Sequence, residues 1–210
     1  MNKLILFLLC VFSLTNTKAI ANQSLQQNKS KTFTEYCQQK SILPQATKDT
    51  VEVLLKEAGT QNCQQANRKL SNLTRLSLWG SDKEISDLKP LSGFTNLTYL
   101  SIWGNQISDI KPLSGLTNLT DLNLAGNQIS DIKPLSSLTN LTNLNLWKNQ
   151  ISDIKPLSNL TNLTTLDIDS NQISDIKSLS SLTKLEELRI QANPLQNKTC
   201  PLKQESVCKF

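Results

Sequence analysis

The sequence predicts an α/β solenoid: a horseshoe of stacked turns with a concave parallel β-sheet, short 3-10 or helical turns on the convex side, and a helical N-terminal cap. The first observation is a repeat of 22 residues, which begins at Leu97, Leu119, Leu141, Leu163 and Leu185. The second is an alternation of apolar and polar residues at the start of each copy, typical of a strand with one buried face. The third is a change to helical spacing of the apolar residues before the repeats.

The repeats match a known pattern of solenoid turns. The most regular copies read LTYLSIWGNQISDIKPLSGLTN at 97–118, LTDLNLAGNQISDIKPLSSLTN at 119–140 and LTNLNLWKNQISDIKPLSNLTN at 141–162. Each fits the leucine-rich repeat pattern L-x-x-L-x-L-x-x-N-x-L, in which the leucines point into a core that neighbouring turns share. We assign five full repeats and one partial repeat to residues 73–195, the copy at Leu73 being two residues longer than the others.

An asparagine recurs where the chain must turn away from each strand, at Asn105, Asn127, Asn149, Asn171 and Asn193. We expect these side chains to satisfy backbone amides of the turn and to stack into a ladder. The N-L-T triplets and the Asp-x-Lys pairs recur with the same period, so we interpret them as parts of the repeat and not as modification or binding sites. The proline after each repeat lysine, from Pro90 to Pro156, is expected to open a short helical turn on the convex side.

The N-terminus has the pattern of an export signal. An apolar run from Leu4 to Phe12 and the small residues of Ala19-Ile20-Ala21 predict a signal peptide at 1–21, and the run is too short to span a membrane. Residues 22–32 are polar and predict a flexible leader. Cleavage would leave 20 basic and 17 acidic residues, a net charge of +3 that is too small to favour nucleic acid. We therefore expect a secreted or periplasmic protein with no membrane span.

Residues 33–72 are predicted to form a helical N-terminal cap. Val51, Leu54, Leu55 and Ala58 lie at helical intervals, with a start signal at Asp49-Thr50 and a stop at Gly59. The spacing of Cys63, Ala66 and Leu70 predicts a second helix. These helices would cover the first repeat, because the open end of a repeat stack exposes apolar edges.

Four cysteines remain after signal removal, which takes Cys10 away: they are Cys37, Cys63, Cys200 and Cys208. An even number in an exported chain favours disulfides, and four cysteines allow three pairings. We favour Cys37 with Cys63 and Cys200 with Cys208, because each bond would then close one end of the stack. Residues 196–210 would form a disulfide-closed C-terminal cap.

Side chains alternate along a strand, so every second residue of each repeat should face out from the concave sheet. The first outward column is Arg75, Tyr99, Asp121, Asn143, Thr165 and Glu187. The second is Ser77, Ser101, Asn123, Asn145, Asp167 and Arg189. The third is Trp79, Trp103, Ala125, Trp147, Asp169 and Gln191. The face therefore has an aromatic first half and an acidic, amide-rich second half.

We predict a ligand-binding surface on this face, formed by Trp79, Trp103, Trp147, Tyr99, Arg75, Asp121, Asn123, Asn143, Asn145, Asp167, Asp169, Glu187 and Arg189. The tryptophan strip should run about 14 Å, and exposed contiguous aromatic surface usually marks an interaction site. The alternative is that the rings pack on one another and stiffen the sheet. Against it, Ala125 and Asp169 lack the ring that a stiffening role would need in every copy.

The 22-residue unit with N-Q-I-S-D-I-K-P-L and S-x-L-T-N resembles the repeats of internalin-like bacterial leucine-rich repeat proteins over residues 73–195. The cap cysteines, together with Asn193-Pro194-Leu195 and Cys200-Pro201, are similar to the ends of exported bacterial members, cyanobacterial ones included. The resemblance implies binding of a protein or surface ligand through the concave face. The chain shows no LPxTG-type anchor and few repeats, so the resemblance does not extend to host-cell invasion.

An enzyme is not expected. The chain has no histidine, the commonest general base and metal ligand, and no phosphate loop or nucleophile elbow. Asp167 and Asp169 could pair as acid and base, but they lie on an open sheet without a pocket to shift their pKa values. Calcium on Asp121, Asn143, Asp167 and Asp169 has suitable oxygens but no ligand-clustering loop. We therefore predict no catalytic residue, no metal site and no cofactor.

Three functions stay open from the sequence. In the first, the concave face binds a protein or peptide, with the tryptophans and Tyr99 as anchors and the carboxylates steering a basic partner. In the second, the tryptophan strip stacks on the sugars of an envelope glycan. In the third, the chain is a structural spacer, and replacing the tryptophans would change stability alone.

Overall fold

A computed structural model of the chain describes residues 31–79 and 84–210. The predicted signal peptide, residues 22–30 of the predicted leader and residues 80–83 of the predicted first repeat lie outside these described residues. Within them, the structure has the predicted architecture: helices at the N-terminus, then an open parallel sheet with short 3-10 turns on the opposite side. Thr32, at the end of the predicted leader, already belongs to the folded part, because it caps the first helix.

The described residues contain a sheet of seven strands in sequential order, all neighbours being parallel. The strands are β1 Arg75–Ser77, β2 Tyr99–Ser101, β3 Asp121–Asn123, β4 Asn143–Asn145, β5 Thr165–Asp167, β6 Glu187–Arg189 and β7 Cys208–Lys209. In β1 to β6 the middle residue is a buried leucine, and in β1 to β5 it pairs with the leucine of the next strand. The leucine spacing in the sequence thus sets the register, which matches the first two predicted columns.

Short 3-10 turns carry the chain across the convex side, at Lys89–Leu91, Lys111–Leu113, Lys133–Ser137, Lys155–Asn159 and Lys177–Ser181. Proline near the start of the first four fixes the backbone angle that such a turn needs. The aspartate two residues before the first lysine of each turn accepts a hydrogen bond from that lysine's backbone: Asp131 Oδ1, for example, accepts from Lys133 N at 3.0 Å. Of the Asp-x-Lys pairs, all of them described, Asp87 and Lys89 alone form an ion pair, at 3.7 Å. These aspartates therefore act through the backbone more than through opposite charge.

The predicted asparagine ladder is present. Asn149 is 8% exposed and accepts from Ile129 N at 3.0 Å with Oδ1, while Nδ2 donates to the carbonyls of Leu124, Leu146 and Trp147. Asn105, Asn127, Asn171 and Asn193 make the same set of bonds in their own repeats. Each rung therefore ties one turn to the turn before it, which explains its recurrence.

Three helices cap the first repeat: α1 Phe33–Gln38, α2 Gln45–Ala58 and α3 Cys63–Ser71. The predicted start of α2 at Asp49-Thr50 is wrong, because the helix begins directly after Pro44, and Thr50 lies inside it, donating to Ala46 O. The predicted stop is confirmed: Gly59 adopts φ 62° at the C-cap, where glycine carries no steric cost.

The N-terminal cap is attached to the first repeat by polar and aromatic contacts. Thr47 Oγ1 donates to Asp87 Oδ2 at 2.5 Å, and Thr50 Oγ1 donates to Asp87 O at 2.8 Å. The rings of Phe33 and Phe94 lie 5.8 Å apart in the core. These contacts close the apolar end of the stack, as a terminal repeat requires.

Both favoured cysteine pairs are joined in the structure. Cys37 and Cys63 link α1 to α3 with a Cα–Cα distance of 5.6 Å, and Cys200 and Cys208 are 5.8 Å apart at the C-terminus. The second bond ties β7, a strand that the repeat pattern did not predict, to the segment at Cys200, and β7 pairs with β6. No helix in the described residues is long and apolar enough to cross a membrane.

Candidate functional site

The third outward column lies two residues after the end of each strand from β1 to β6, and backbone hydrogen bonds between neighbouring repeats align it. Gly104 N donates to Ala125 O at 2.9 Å and Gly126 N to Trp147 O at 2.7 Å. From Gly104 to Ala192, the residue directly after each member of this column has a left-handed backbone conformation, with φ 69° at Gly104 and 54° at Lys148. The chain turns sharply there, so the side chains of column three lie at the rim of the concave face.

A groove of ≈ 310 Å³ runs over the concave face from β2 to β6. Its lining includes the predicted site residues Tyr99, Asp121, Asn123, Asn143, Asn145, Asp167, Glu187 and Arg189. It also includes Thr165 and the strand leucines Leu122 and Leu144, which were not among the predicted site residues. The predicted residues Arg75, Trp79, Trp103, Trp147 and Asp169 do not line it. The structure thus separates the predicted surface into a groove and an aromatic rim.

The aromatic side chains of the first two repeats contact one another. The rings of Trp79 and Trp103 stack with centroids 5.7 Å apart and planes 22° apart. The guanidinium of Arg75 lies 3.9 Å above the centre of the Tyr99 ring. Ser101, between Tyr99 and Trp103 on the same face, is only 2% exposed. The side chains at this end of the face therefore pack on one another. The alternative to a binding surface expected such packing for all of the tryptophan rings, and here two of them show it.

The tryptophan strip is interrupted in the middle. Ala125 separates Trp103 from Trp147 and is 5% exposed. Trp147 has the Lys148 ammonium 5.9 Å from its ring, and 42% of its surface is exposed. The three tryptophans remain the most exposed large apolar side chains of the described repeats, at 58% for Trp79 and 44% for Trp103.

The amides of column two are oriented by the backbone. Asn123 Oδ1 accepts from Ala125 N at 3.0 Å, and Asn145 Oδ1 accepts from Trp147 N at 2.9 Å. Asp167 Oδ1 takes the same bond from Asp169 N at 3.1 Å. The Nδ2 groups of both asparagines and Oδ2 of Asp167 have no hydrogen-bond partner among the described residues. The groove therefore contains fixed donors and an acceptor that are open to a ligand.

The charged groups of the groove differ in how far they are neutralised. Arg189 Nε donates to Glu187 Oε1 at 2.8 Å, and this bond raises the pKa of Arg189 above its ordinary value. Asp121 accepts from Asn143 Nδ2 at 2.8 Å and from Thr120 Oγ1 at 2.7 Å, both neutral donors. Three carboxylates and one guanidinium line the groove, which leaves it with a formal excess of two negative charges.

Asp169 lies beside the groove at the rim. Its Oδ1 accepts from Gln191 N at 2.5 Å, and burial raises the pKa of Asp169 above its ordinary value despite that bond. The neighbouring charge of Asp167 raises the pKa of Asp169 further. Within residues 31–79 and 84–210, no group of three or more His, Cys, Asp or Glu side chains could hold a metal ion.

Comparison with known families assigns the repeats. The model of the family described as leucine-rich repeats (two copies) matches residues 95–137, 139–181 and 161–203, together more than half of the chain. The chain belongs to the leucine-rich repeat family. Proteins of this family are generally non-catalytic scaffolds for protein–protein interaction. No protein of curated function matches the sequence.

Solved structures place these leucine-rich repeats among the internalin-like ones. An internalin of Listeria monocytogenes is 34% identical, with a TM-score of 0.66 over 72% of this chain and 45% of its own. Internalin C2 of the same organism is 30% identical, with a TM-score of 0.53 over 75% of this chain and 90% of its own. A leucine-rich repeat protein of Leptospira interrogans is 29% identical, with a TM-score of 0.57 over 63% of this chain and 35% of its own. The chain thus spans less than half of two of these three relatives.

Proposed function

We propose that this chain is an exported, non-catalytic scaffold that binds a protein or peptide ligand in the concave groove between β2 and β6. The observation that carries the proposal is the groove itself, whose donors and acceptors are fixed by the sheet and remain open. Groups that are already oriented lose little freedom on binding, so more of their interaction energy appears as affinity. The protein-binding role of the leucine-rich repeat family supports the same function.

Export is part of the proposal and rests on the cysteines and the N-terminus. Two disulfides close the two ends of the stack, and such bonds persist in oxidising compartments. The signal peptide predicted at 1–21 agrees with them, and secretion or a periplasmic location would follow from its cleavage. Mass spectrometry of the mature N-terminus tests this part, and an uncleaved Met1 on protein from the natural host would contradict it.

The exposed tryptophans favour a second candidate, an envelope glycan bound along the rim. Exposures of 58%, 44% and 42% for Trp79, Trp103 and Trp147 support it. Against it, Trp79 and Trp103 stack face to face, so each covers one face that a sugar would need. The tryptophans therefore leave no continuous aromatic surface for a sugar chain, and the groove is the better-supported ligand site.

One pair of variants tests the groove with a matched control. Thr165→Arg places a long cationic side chain in the groove, whereas Thr161→Arg makes the same change at an exposed loop position outside it. Neither threonine side chain makes a hydrogen bond to another described residue, so both variants should fold. Circular dichroism and thermal melting check this before any capture experiment.

The capture experiment uses envelope and medium fractions of the natural host. We expect the wild type and Thr161→Arg to retain the same specific protein and Thr165→Arg to lose it. Retention by the wild type and both threonine variants, with loss in a Trp103→Ala, Trp147→Ala double variant and competition by oligosaccharides, would support the glycan instead. No specific capture by any form would support a structural spacer.

A further inference from the structure

The two ends of the groove offer different chemistry. At β2, Tyr99 contributes an aromatic wall, and Arg75 covers one face of its ring. At β5, Asp167 contributes a carboxylate with one oxygen open. Tyr99 and Asp167 are three strands apart, about 14 Å at a strand spacing of about 4.8 Å, and Asp167 lies two residues further along its strand than the residue in register with Tyr99, so the two positions are about 16 Å apart.

An extended peptide that runs across the strands has a matching period. Its residues rise by about 3.3 Å each, and side chains at i, i+2 and i+4 point to the same side. Residues i and i+4 are then about 13 Å apart on one face, and a long side chain at one of them spans the remaining distance to the other end of the groove. Residues i+3 and i+5 point away from the sheet when residue i points towards it.

The middle of the groove suits the backbone of such a peptide. Between Tyr99 and Asp167 lie the open Nδ2 donors of Asn123 and Asn145, which can bond to the carbonyl groups of a ligand. The groove extends over four strand spacings from β2 to β6, enough for about six extended residues. The contact is therefore the size of a short linear segment and smaller than a folded interface.

Charge selects the residue at the β5 end. The groove carries an excess of two negative charges although the whole chain has a net charge of +5, so its acidity is local. Asp121 is bonded by neutral donors, and Arg189 donates to Glu187 while its charge also acts on Asp167 from the neighbouring strand. Asp167 itself accepts no side-chain hydrogen bond among the described residues. A lysine or arginine of a ligand would donate to the open Oδ2 of Asp167 and offset the remaining negative charge of the groove.

Resting on the proposed function, we propose that the groove selects an extended peptide segment in which an aromatic or large apolar residue is followed, or preceded, by a lysine or arginine four positions away. The apolar side chain packs on Tyr99, the cation pairs with Asp167, and the intervening carbonyls bond to Asn123 and Asn145. The rule specifies spacing and side-chain type, which a general protein-binding function does not.

Fluorescence anisotropy with short labelled peptides tests the spacing. The probes are ten-residue Ser/Thr/Gly peptides with one Phe and one Lys, placed three, four or five positions apart and equal in composition. We expect the four-position peptide to bind about tenfold more tightly than the other two, the difference that a single well-placed charged contact of about 1.4 kcal/mol gives. Equal binding of all three, or binding of none, would overturn the proposal.

A charge-removing pair of variants tests the role of Asp167. Asp167→Asn should fold, because Asn123 and Asn145 make the same Oδ1 bond in their own repeats. It should remove most of the preference for Lys over Gln in the four-position peptide. Asp153→Asn on the convex side loses the same charge and can keep its bond to Lys155 N, so it should leave peptide affinity unchanged. The proposal is overturned if the two variants behave alike.

The peptide and capture experiments separate this rule from the proposed function. If no peptide binds but Thr165→Arg still loses a captured protein, the groove is the binding site and the spacing rule is wrong. If Thr165→Arg and Thr161→Arg capture the same material, the groove itself is not the site and both proposals fail.

Discussion

The repeats contain two sets of asparagines whose side chains have different roles. In the buried ladder, of which Asn149 is one rung, both polar atoms of the side chain bond to the backbone. On the concave face, Asn145 in the same repeat uses its Oδ1 and leaves Nδ2 open. The ladder recurs in the five turns from Asn105 to Asn193, whereas the concave row changes to Asp167 and Arg189 further along. Positions that repeat serve the stack, and positions that vary with open groups are where a ligand can bind.

The largest expected effect is at the ladder. Asn149→Ala removes four hydrogen bonds and leaves the buried Ile129 N unpaired, while the carbonyls of Leu124, Leu146 and Trp147 each lose one of their donors. We expect the free energy of unfolding to fall by about 2 to 4 kcal/mol, because buried unsatisfied groups lose their solvation as well as their partner. Urea denaturation followed by circular dichroism measures it. A loss below about 0.5 kcal/mol would mean that water replaces the rung and that the two rows do not differ as described.

A position that varies between repeats can still contribute to stability, and Trp103 is such a position. Trp103→Ala removes the stack on Trp79 and the buried part of the indole, so we expect a loss of about 1 to 2 kcal/mol. Trp147→Ala is the matched control, because no described aromatic ring stacks on Trp147, and its loss should be smaller. Equal melting temperatures for the two variants would show that the stack contributes nothing to stability.

Asn145→Ala is the direct counterpart of the ladder variant. It removes one exposed hydrogen bond, which Trp147 N donates to Asn145 Oδ1, so we expect a loss of about 0.5 to 1 kcal/mol. The same substitution should weaken binding of the captured ligand or peptide, measured by anisotropy, whereas Asn149→Ala should affect binding only through stability. Unchanged affinity for Asn145→Ala would remove this side chain from the proposed site.

The smallest expected effect is a pH-dependent one at Asp169. Burial raises the pKa of its carboxyl in the folded state above the ordinary value of 3.8, so the folded chain binds the proton more tightly than the unfolded chain. Stability is therefore highest below that value and falls as the pH rises through the folded pKa. Asp169→Asn, which keeps an oxygen for Gln191 N, should melt slightly later at pH 7, within about 0.5 kcal/mol, and equally at pH 3. An earlier melt at pH 7 would contradict the sign.

Much of the fold was predictable because the same residue pattern recurs in each repeat. The leucine spacing predicted the strand register, and the recurring asparagines predicted the ladder. The ends have no such repetition. The start of α2 was misplaced because Thr50 and Asp49 are common cap residues, whereas the chain uses the proline at 44 to begin the helix. Strand β7 was missed because a pairing with β6 and a disulfide, not a leucine pattern, hold it.

The candidate site was predictable only as a set of outward side chains. Alternation along a strand shows which residues leave the sheet, and the groove does draw on two of the three predicted columns. The alternation does not show which of these side chains contact one another across neighbouring strands. The stack of Trp79 on Trp103 and the Glu187–Arg189 bond depend on side-chain rotamers, so the sequence could not separate occupied groups from open ones.

The most direct measurement compares ligand affinity for the groove variant Thr165→Arg and the rim variant Trp147→Ala, both checked for folding. If the open groups between β2 and β6 form the binding site, Thr165→Arg lowers affinity at least about tenfold, a loss of about 1.4 kcal/mol, while Trp147→Ala changes it much less. If instead Trp147→Ala abolishes binding and Thr165→Arg leaves it intact, the ligand binds the aromatic rim and the groove is not the site.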